Sequence, residues 1–412
     1  MIRILDSKQA GKLLSRKAAR FAEAEEVVRP ILEAVRKRGD RAVIEYAQKF
    51  DGFDRKSLLV PQEELAAAER SLTPKFRSAV KTAARNIQAF AKLQLPQSKA
   101  AMIAPGLRVG QLVRPLDVVA AYIPAGRYPL PSTLMMTAIP AQVAGVPVIC
   151  ATAPRAVPEI LGTASMLGLK HVYVIGGAHA IAAFAFGTKT VPRADRIVGP
   201  GNIYVAAAKK LLAGEVGIDF VAGPTEILII ADEGNPAWVA ADMLAQAEHD
   251  TDASAVLLTR SKRFAKAVAK EIEAQIATLP TCKVARKAID KNSAIIIVSS
   301  SAEAVDLSNR FAPEHLSVHD PALVPTIRHA GSIFIGPVST EAAGDYASGP
   351  NHVLPTTGAA RLRGGLSSAD YVKVISTQEV APEALAALAP AVTTLARAEG
   401  LEAHARSIEV RL

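Results

Sequence analysis

Residues 226–259 read EILIIADEGNPAWVAADMLAQAEHDTDASAVLLT, and they decide the fold class. Two apolar runs, at 226–231 and 254–259, enclose a segment with helical spacing at 236–249. Asn235, which a proline follows, is a candidate N-cap for that helix. Because continuous apolar runs are typical of strands covered on both faces, the stretch predicts a strand–helix–strand unit of a parallel sheet.

The same alternation of short apolar runs and Ala-rich helical runs extends along the chain from about residue 115. The further predicted strands are 117–123, 146–152, 171–175, 294–299, 315–319 and 332–335. The further predicted helices are 133–144, 155–168, 177–187, 262–278 and 301–312. The chain is also longer than a single core usually allows. We therefore predict an α/β fold of two incomplete Rossmann-like lobes with parallel-rich sheets.

The ends of the chain differ from this alternating region, because residues 1–95 and the Ala/Leu-rich stretch 382–406 have helical spacing. We expect a helical N-terminal segment and a helical C-terminal tail that packs on another lobe or another subunit. The predicted parts are an N-terminal segment at 1–20, a discontinuous first lobe at 21–115 and 228–366, a second lobe at 116–227 and a dimerisation tail at 367–412.

Composition limits the class of protein. Half of the 412 residues are hydrophobic and 21% are charged, which excludes a disordered chain. No apolar run reaches the roughly 18–20 residues of a membrane span, and the first residues do not resemble a secretory signal. We therefore expect a cytoplasmic protein. Cys150 and Cys282 form neither a CxxC pair nor a disulfide framework, so any zinc ligands must be mostly His, carboxylate and amide groups.

The net charge of +9 raises the question of a nucleic-acid partner. The excess lies in residues 1–110, where 22 basic residues accompany 12 acidic ones. There the charges alternate with apolar positions at helical spacing, which is typical of a solvated helical face. Since no nucleic-acid-binding motif accompanies them, we predict neither a nucleic-acid nor a membrane partner.

Gln246 and His249 are three residues apart at the end of the helix predicted at 236–249, so both project from one face. Such a pair can give two ligands to one metal ion, although taken alone it is more often solvent-facing or capping. Glu314 and His315 lie at a helix-to-strand junction, where an acid beside an imidazole suits proton transfer. A capped pair within a loop is the alternative interpretation.

The loop 344–358 is rich in Gly, Pro and Asn and contributes little to a core. Asp345 offers a hard carboxylate ligand, and Tyr346 and His352 offer groups that could orient a polar substrate. In the tail, Glu399 and His404 are five apart, a spacing that usually means nothing on a surface helix. Zinc accepts the N and O ligands that these segments offer together, but spacing alone does not assemble residues so scattered.

Eight motifs occur in the order found in histidinol dehydrogenases, and this resemblance covers nearly the whole chain. They are AAYIPAGRYPLPST (120–133), IGGAHAIAAFAFGT (175–188), IVGPGNIYVAAAKK (197–210), VAGPTEILIIAD (221–232), LAQAEHD (244–250), APEHLSV (312–318), GDYASGPNHVLPTTG (344–358) and EGLEAHARSI (399–408). The combination of the motif at 344–358 with QAEHD is highly specific for this family.

The resemblance implies a homodimer with shared active sites and one zinc ion per subunit. It implies two NAD-dependent oxidations, from L-histidinol through L-histidinal to L-histidine, the last step of histidine biosynthesis. The implied zinc ligands are Gln246, His249, Asp345 and His404. The implied catalytic residues are Glu314 and His315. The implied substrate contacts are Thr225, Gln246, His249, His315, Asp345, Tyr346, His352, Glu399 and His404. The implied NAD contacts are Tyr122, His179 and Asn202.

Two positions depart from the family pattern, which has Gln where His179 stands and Ser where Thr225 stands. The chain also has no GxGxxG fingerprint, so the expectation of NAD rests on the resemblance. Three alternatives remain open from the residues. They are a related zinc- and NAD-dependent dehydrogenase for another polar alcohol, a zinc hydrolase in which Glu314 activates water, and a non-catalytic interaction protein.

Overall fold

The computed structural model describes residues 1–9, 11, 21–124 and 129–412. Among these residues, no helix combines the length and apolar character that a membrane crossing requires. The strands and helices, in chain order, are β1 (Arg3–Asp6), α1 (Phe21–Arg38), α2 (Asp40–Asp51), α3 (Gln62–Ser71), α4 (Pro74–Gln94), β2 (Lys99–Ala104), β3 (Leu107–Pro115), β4 (Val118–Tyr122), α5 (Pro131–Ala144), β5 (Val148–Thr152), α6 (Pro158–Met166), β6 (His171–Tyr173), α7 (Gly177–Phe186), β7 (Arg196–Val198), α8 (Ile203–Leu212), β8 (Gly217–Ile218), β9 (Glu226–Ile230), α9 (Pro236–Ala247), β10 (Ser254–Thr259), α10 (Lys262–Ile276), α11 (Cys282–Asn292), β11 (Ala294–Ile297), α12 (Ser301–Phe311), β12 (His315–Val318), β13 (Ser332–Ile335), α13 (Glu341–Tyr346), β14 (Val372–Val380), α14 (Pro382–Ala398) and α15 (Glu402–Glu409).

Six parallel strands form the larger sheet, in the order β1-β11-β10-β9-β12-β13. Alternate residues of each strand point to opposite faces of the sheet and pack into different hydrophobic cores. Ile227 and Ile229 of β9 pack with α9, α10 and α11, whereas Leu228 and Ile230 pack with α12. Burial on both faces explains why these strands are continuously apolar, and it confirms the strand–helix–strand unit predicted at 226–259.

Five parallel strands form the second sheet, in the order β6-β5-β4-β7-β8. One face packs with α3 to α6 and the other with α1, α2, α7 and α8. The helices of residues 21–94 therefore belong with this sheet, and not with the 228–366 lobe to which the sequence assigned them. Their helical spacing shows that they bury one face, but it carries no information about which sheet receives that face.

A third sheet is antiparallel, in the order β14-β3-β2. The tail predicted to be helical from residue 367 thus begins with a short 3₁₀ helix at Ser368–Tyr371 and a nine-residue strand, β14, and only then continues into α14 and α15. The N-terminal segment likewise opens with β1, at the edge of the larger sheet. These strands were missed because they lie at edges, where side chains stay exposed and the apolar signal is weak.

Residues of the segment 344–358 connect the two parallel sheets. His352 contacts Thr133 at the start of α5, which follows β4, and Asp345 lies beside His315, the first residue of β12. Asn351 crosses this junction and donates from Nδ2 to the carbonyl oxygen of Met136 at 2.6 Å. The loop 344–358 therefore lies between the lobes, and the residues at the amino ends of β9 and β12 lie beside it.

Candidate active site

The carboxamide of Gln246 lies at the centre of the candidate site. Asn235 caps the start of α9 by accepting a hydrogen bond from the backbone N–H of Ala237 at 3.0 Å. Because α9 is the crossover between two parallel strands, its last turn returns to the amino edge of the larger sheet. There one end of the fully buried Gln246 carboxamide lies 2.6 Å from Thr225 Oγ1, beside the start of β9.

The other end of this carboxamide contacts Glu341, which the sequence analysis did not select. The two carboxylate oxygens of Glu341 lie 2.7 and 3.1 Å from it, and the side chain is buried. Glu341 opens α13, where Asp345 follows four residues later and lies on the same helical face. That spacing of two acids was the available signal, but the motif that begins at Gly344 leaves Glu341 outside.

His249, Glu341 and Asp345 form a cluster of potential metal ligands, which we call the ligand cluster. One ligand atom from each lies within 4.8 Å of those of the other two. His249 is exposed, Glu341 is buried and Asp345 is half-buried. Of the residues predicted to bind zinc, the structure thus brings His249 and Asp345 together, and it places Gln246 beside them through its contact with Glu341.

His315, the first residue of β12, is buried among three carboxyl groups. Its Nδ1 lies 3.7 Å from Glu314 and from Glu341, and its Nε2 lies 3.6 Å from Asp345. Burial lowers the pKa of His315, but the three carboxyl groups outweigh this effect and raise the pKa to about 10. In the described part of the chain, Nε2 has no hydrogen-bond partner, so it is available to a group bound at the ligand cluster.

Glu314 precedes His315 and is also buried. Its Oε2 accepts hydrogen bonds from the Thr225 hydroxyl at 2.6 Å and from the backbone N–H of Glu226 at 2.9 Å. Burial raises the pKa of Glu314, although the charge of His315 and these two donors oppose the increase. A buried carboxyl group of raised pKa beside an imidazole is suited to proton transfer.

The charge of the site fits a divalent cation. Three acids, Glu314, Glu341 and Asp345, lie around the imidazole of His315. Burial, opposed by His315 and reinforced by the other carboxyl groups, raises the pKa of Glu341 to about 8. A cation would offset this surplus of negative charge. The imidazole, carboxylate and amide oxygen donors are those that Zn²⁺ accepts, so the chemistry of the donor set fits zinc as well.

His352 joins the ligand cluster to the other lobe. Its Nδ1 lies 2.8 Å from the carbonyl oxygen of Asp345, and its Nε2 lies 3.1 Å from Thr133 Oγ1 in the first turn of α5. Burial lowers the pKa of His352, which favours a neutral imidazole. Tyr346 follows Asp345 and is 58% exposed at the mouth of the site. The predicted substrate contacts in the main body of the chain therefore converge on the junction of the lobes.

Glu399 and His404 lie on the exposed tail. Glu399 follows α14 as its C-cap, and His404 lies in the first turn of α15. Among the described residues of one chain, neither belongs to the ligand cluster. The set of zinc ligands predicted from the sequence is therefore not complete within a single chain.

The predicted NAD contacts lie at the carboxyl edge of the five-stranded sheet, and two of them are turned inward. The buried hydroxyl of Tyr122 accepts from the backbone N–H of Gly177 at 3.1 Å, and burial raises its pKa to about 12. His179 is only 1% exposed, and its Nε2 lies 2.9 Å from an oxygen of Asp51. Asn202 is exposed, but its side chain caps α8 by accepting two backbone N–H groups. His179 therefore faces Asp51 and not the solvent.

The turn that precedes Asn202 is tightly packed. The backbone N–H of Gly199 donates to Asp219 at 2.7 Å, and its carbonyl accepts from the buried Lys209 at 3.0 Å. Lys209 also forms an ion pair with Asp219. Gly199 has a φ of +108°, and a Cβ there would overlap the carbonyl oxygen of Tyr122. This packing holds the turn against the end of β4.

Comparisons with known proteins agree with this site. The family model described as histidinol dehydrogenase matches residues 14–412. A histidinol dehydrogenase of Rhizobium meliloti (strain 1021) is 46% identical over 396 residues, which cover 94% of this chain and 91% of that protein. A histidinol dehydrogenase of Bacillus thuringiensis subsp. konkukian (strain 97-27) is 45% identical over 392 residues, which cover 93% and 91% of the two chains.

The fold also matches a solved structure. The crystal structure of histidinol dehydrogenase from Elizabethkingia anophelis has a TM-score of 0.96 and 35% identity, and the match covers 100% of this chain and 98% of that one. The predicted α/β class with parallel-rich sheets is thereby confirmed, as is the resemblance stated from the motifs. The chain belongs to the histidinol dehydrogenase family and is an oxidoreductase enzyme.

Proposed function

We propose that the chain is a cytoplasmic histidinol dehydrogenase, which uses one zinc ion per subunit and two molecules of NAD⁺. It oxidises L-histidinol through L-histidinal to L-histidine, the last step of histidine biosynthesis. The observation that supports this most directly is that the Glu314–His315 pair and the ligand cluster lie at the same edge of the larger sheet. A proton acceptor within reach of a site for a polar substrate is what alcohol oxidation requires.

Gln246, His249 and Asp345 would hold the zinc ion, with Glu341 within reach as a further carboxylate. When bound, zinc acts as a Lewis acid that orients and polarises the substrate, and NAD⁺ is the hydride acceptor. The three residues come from α9, the turn after it and α13, each packed on the larger sheet or its loops. Their positions are thus set by the fold and not by local spacing.

His315 is the residue that accepts the hydroxyl proton in each oxidation, and for this its imidazole must be neutral. A divalent cation at the ligand cluster would offset the carboxyl charges that raise the pKa of His315, and would so favour that neutral form. Its Nε2 points toward Asp345 and has no hydrogen-bond partner among the described residues, so it is free to contact a substrate hydroxyl. The carboxyl groups of Glu314 and Glu341, each 3.7 Å from Nδ1, stabilise the imidazolium that forms. Positioning and charge together account for this step.

Glu314 is the base for the second oxidation, in which a water molecule must add to the aldehyde. Its carboxyl group is buried, and it is held by the Thr225 hydroxyl and the Glu226 N–H on one oxygen. The other carboxyl oxygen would accept the proton from water. Holding the carboxyl group on one side fixes the direction of the proton transfer.

The proposal includes a homodimer in which the tail of each subunit completes the partner's site with Glu399 and His404. Both residues are exposed on the tail and remote in sequence from the ligand cluster. The antiparallel sheet and the tail also expose large apolar side chains, which is typical of an interface. Among them are Met102, Ile103, Val374, Ile375 and Leu395.

The experiment is to add L-histidinol and NAD⁺ to the zinc-loaded protein and to follow NADH by its absorbance. We expect two NADH for each L-histidinol consumed and loss of the reaction when a chelator removes zinc. A hydrolase would form no NADH, and an interaction protein would turn over nothing. A dehydrogenase for another polar alcohol would form NADH faster with that alcohol. Absence of NADH from L-histidinol would contradict the proposal.

A further inference from the structure

Lys209 and Asp219 form a buried ion pair that the proposed reaction does not use. Lys209 lies on α8, and Asp219 directly follows β8. Their side chains are only 2% and 0% exposed. The attraction between two buried charges offsets their loss of hydration only when the geometry is good, so such a pair is weak evidence for stability. The contacts that the two charges make indicate another role.

Both charged groups bind the backbone of Gly199. Its N–H donates to Asp219 Oδ2 at 2.7 Å, and its carbonyl oxygen accepts from Lys209 Nζ at 3.0 Å. The N–H belongs to the peptide group before Gly199, and the carbonyl belongs to the peptide group after it. Because a glycine restricts the rotation between these two groups very little, their orientation needs an external constraint. The ion pair supplies that constraint on both sides of the residue.

The order of the strands explains how the pair reaches Gly199. Gly199 follows β7 and Asp219 follows β8, and these two strands are adjacent and parallel. Their carboxyl ends therefore lie side by side, at the edge where open parallel sheets usually bind ligands. From the other side, the carbonyl oxygen of Tyr122, at the end of β4, lies where a Cβ of Gly199 would be. Gly199 is thus held from both neighbouring strands.

The two segments that the pair joins lead to different parts of the proposed site. From Gly199 the chain continues through a short turn, the cofactor turn (residues 199–202), to the predicted NAD contact Asn202. From Asp219 the chain crosses to the larger sheet and reaches Thr225, whose hydroxyl donates to the proposed base at 2.6 Å. The ion pair therefore connects the cofactor turn to the segment that contacts the base.

We propose that the Lys209–Asp219 pair is a clamp that positions the cofactor turn relative to the segment 219–225, and so the nicotinamide relative to the proposed bases. Both are positioning residues, since their buried side chains act through the backbone of Gly199. Hydride transfer depends on such placement, because a displacement of about 1 Å can lower a rate by about 100-fold. The inference rests on the proposed function, in which Asn202 contacts NAD⁺, and it adds two residues that the reaction itself does not use.

The test is the double variant Lys209→Met/Asp219→Asn, which removes both charges and leaves the net charge of the protein unchanged. An altered affinity for the anionic NAD⁺ then has no origin in net charge. We expect kcat/KM for NAD⁺ to fall by about 10- to 100-fold, the range that corresponds to loss of a hydrogen bond to a charged group. The dissociation constant of NADH, measured by its fluorescence, should rise in parallel. Calorimetry without cofactor should show unaltered binding of zinc and of L-histidinol.

Lys210→Met is the matched control. Lys210 is the next residue of α8 and forms an ion pair with Glu25 at 2.8 Å, but it is 50% exposed. The same chemical change there removes a positive charge and leaves both contacts of Gly199 intact. Because exposed ion pairs contribute little, we expect kcat/KM for NAD⁺ and the dissociation constant of NADH to stay unaltered.

The outcomes separate the clamp from the proposed function. If the folded double variant uses NAD⁺ and binds NADH like the unaltered protein, the clamp is wrong and the proposed function stands. If its affinities for zinc, L-histidinol and NADH all fall by the same factor, the pair supports the whole fold and the clamp is wrong. A double variant that does not fold also overturns the clamp, because the pair would then serve stability. If the unaltered protein does not bind NADH, the clamp and the proposed function fail together.

Discussion

Replacement of Glu314 by Gln should separate the two oxidations. The variant removes the base but keeps an oxygen that can occupy the place of Oε2. That oxygen can still accept from the Thr225 hydroxyl and the Glu226 N–H, which now lie at 2.6 and 2.9 Å. We therefore expect the variant to fold. We also expect His315, whose Nε2 faces the ligand cluster, to perform the first oxidation with a rate changed by less than about tenfold.

The second oxidation should be slower by a factor of about 10² to 10⁴, the usual contribution of a positioned general base. At about 1.4 kcal/mol for each tenfold change, this corresponds to about 3 to 5 kcal/mol in the activation barrier. The assay supplies L-histidinol and L-histidinal separately with NAD⁺ and measures initial rates of NADH formation. L-histidinal should accumulate or be released when L-histidinol is the substrate.

Glu63→Gln is the matched control, since Glu63 is exposed on α3 in the other lobe and the chemical change is the same. It should leave both rates unaltered. An equal loss of both oxidations in Glu314→Gln would refute the division of labour between Glu314 and His315. So would a variant that oxidises L-histidinal at the unaltered rate.

Further predictions test the zinc site, the homodimer and the predicted NAD contacts. Glu341→Gln should weaken zinc binding by about 10- to 100-fold in a chelator competition, as expected for a group that supports a metal site, and unchanged affinity would contradict its place in the ligand cluster. Mixing His404→Ala with Glu314→Gln, both of which should lack the second oxidation, should restore on the order of a quarter of the L-histidinal oxidation, because a mixed dimer with shared sites has one unaltered site; no recovery after subunit exchange argues against shared sites. His179→Gln should leave the Michaelis constant for NAD⁺ unchanged, since the ring is 1% exposed and faces Asp51. His179→Ala should instead lower the free energy of unfolding by about 1 to 3 kcal/mol in urea titrations, because it leaves Asp51 buried with fewer partners. A marked rise in the Michaelis constant of His179→Gln for NAD⁺ would indicate that His179 does contact the cofactor.

The fold was predictable where burial on two faces imposes a continuous apolar run. The strands β9, β10 and β11 were predicted for this reason, and each coincides with an observed strand. The strands β1 and β14 were not, because each lies at an edge and alternates little between buried and exposed residues. Edge strands are held by backbone hydrogen bonds, which every sequence can make, so their side chains carry little signal.

The candidate site was predictable only in part from the residues themselves. Gln246 and His249 share a helical face, and the sequence showed that they could act together. The contact of Gln246 with Thr225 and Glu341 joins three segments distant in sequence, and no spacing rule reports such a contact. The family motifs identified the site residues that lie within them. They missed Glu341, because it lies four residues before Asp345 and outside the motif that begins at Gly344.

The position of the site at the amino edge of the larger sheet follows from the pairing of two sheets. In an open parallel sheet, ligands usually bind at the carboxyl ends of the strands. The five-stranded sheet keeps that rule, since α5 follows β4 and Thr133 at its start contacts His352. The larger sheet reaches the same residues from its amino edge, where His315 begins β12 and lies 3.6 Å from Asp345.

The buried acids at this edge lower the stability of the fold when no cation is bound. Burying Glu314 and Glu341 beside a half-buried Asp345, with one imidazole between them, opposes folding because ionised carboxylates lose hydration there. A cation that binds only the folded chain returns free energy to it, about 2.7 kcal/mol when its concentration is a hundred times its dissociation constant. The same carboxylates that weaken the isolated fold therefore become favourable once a cation is bound, which links the stability of this lobe to its chemistry.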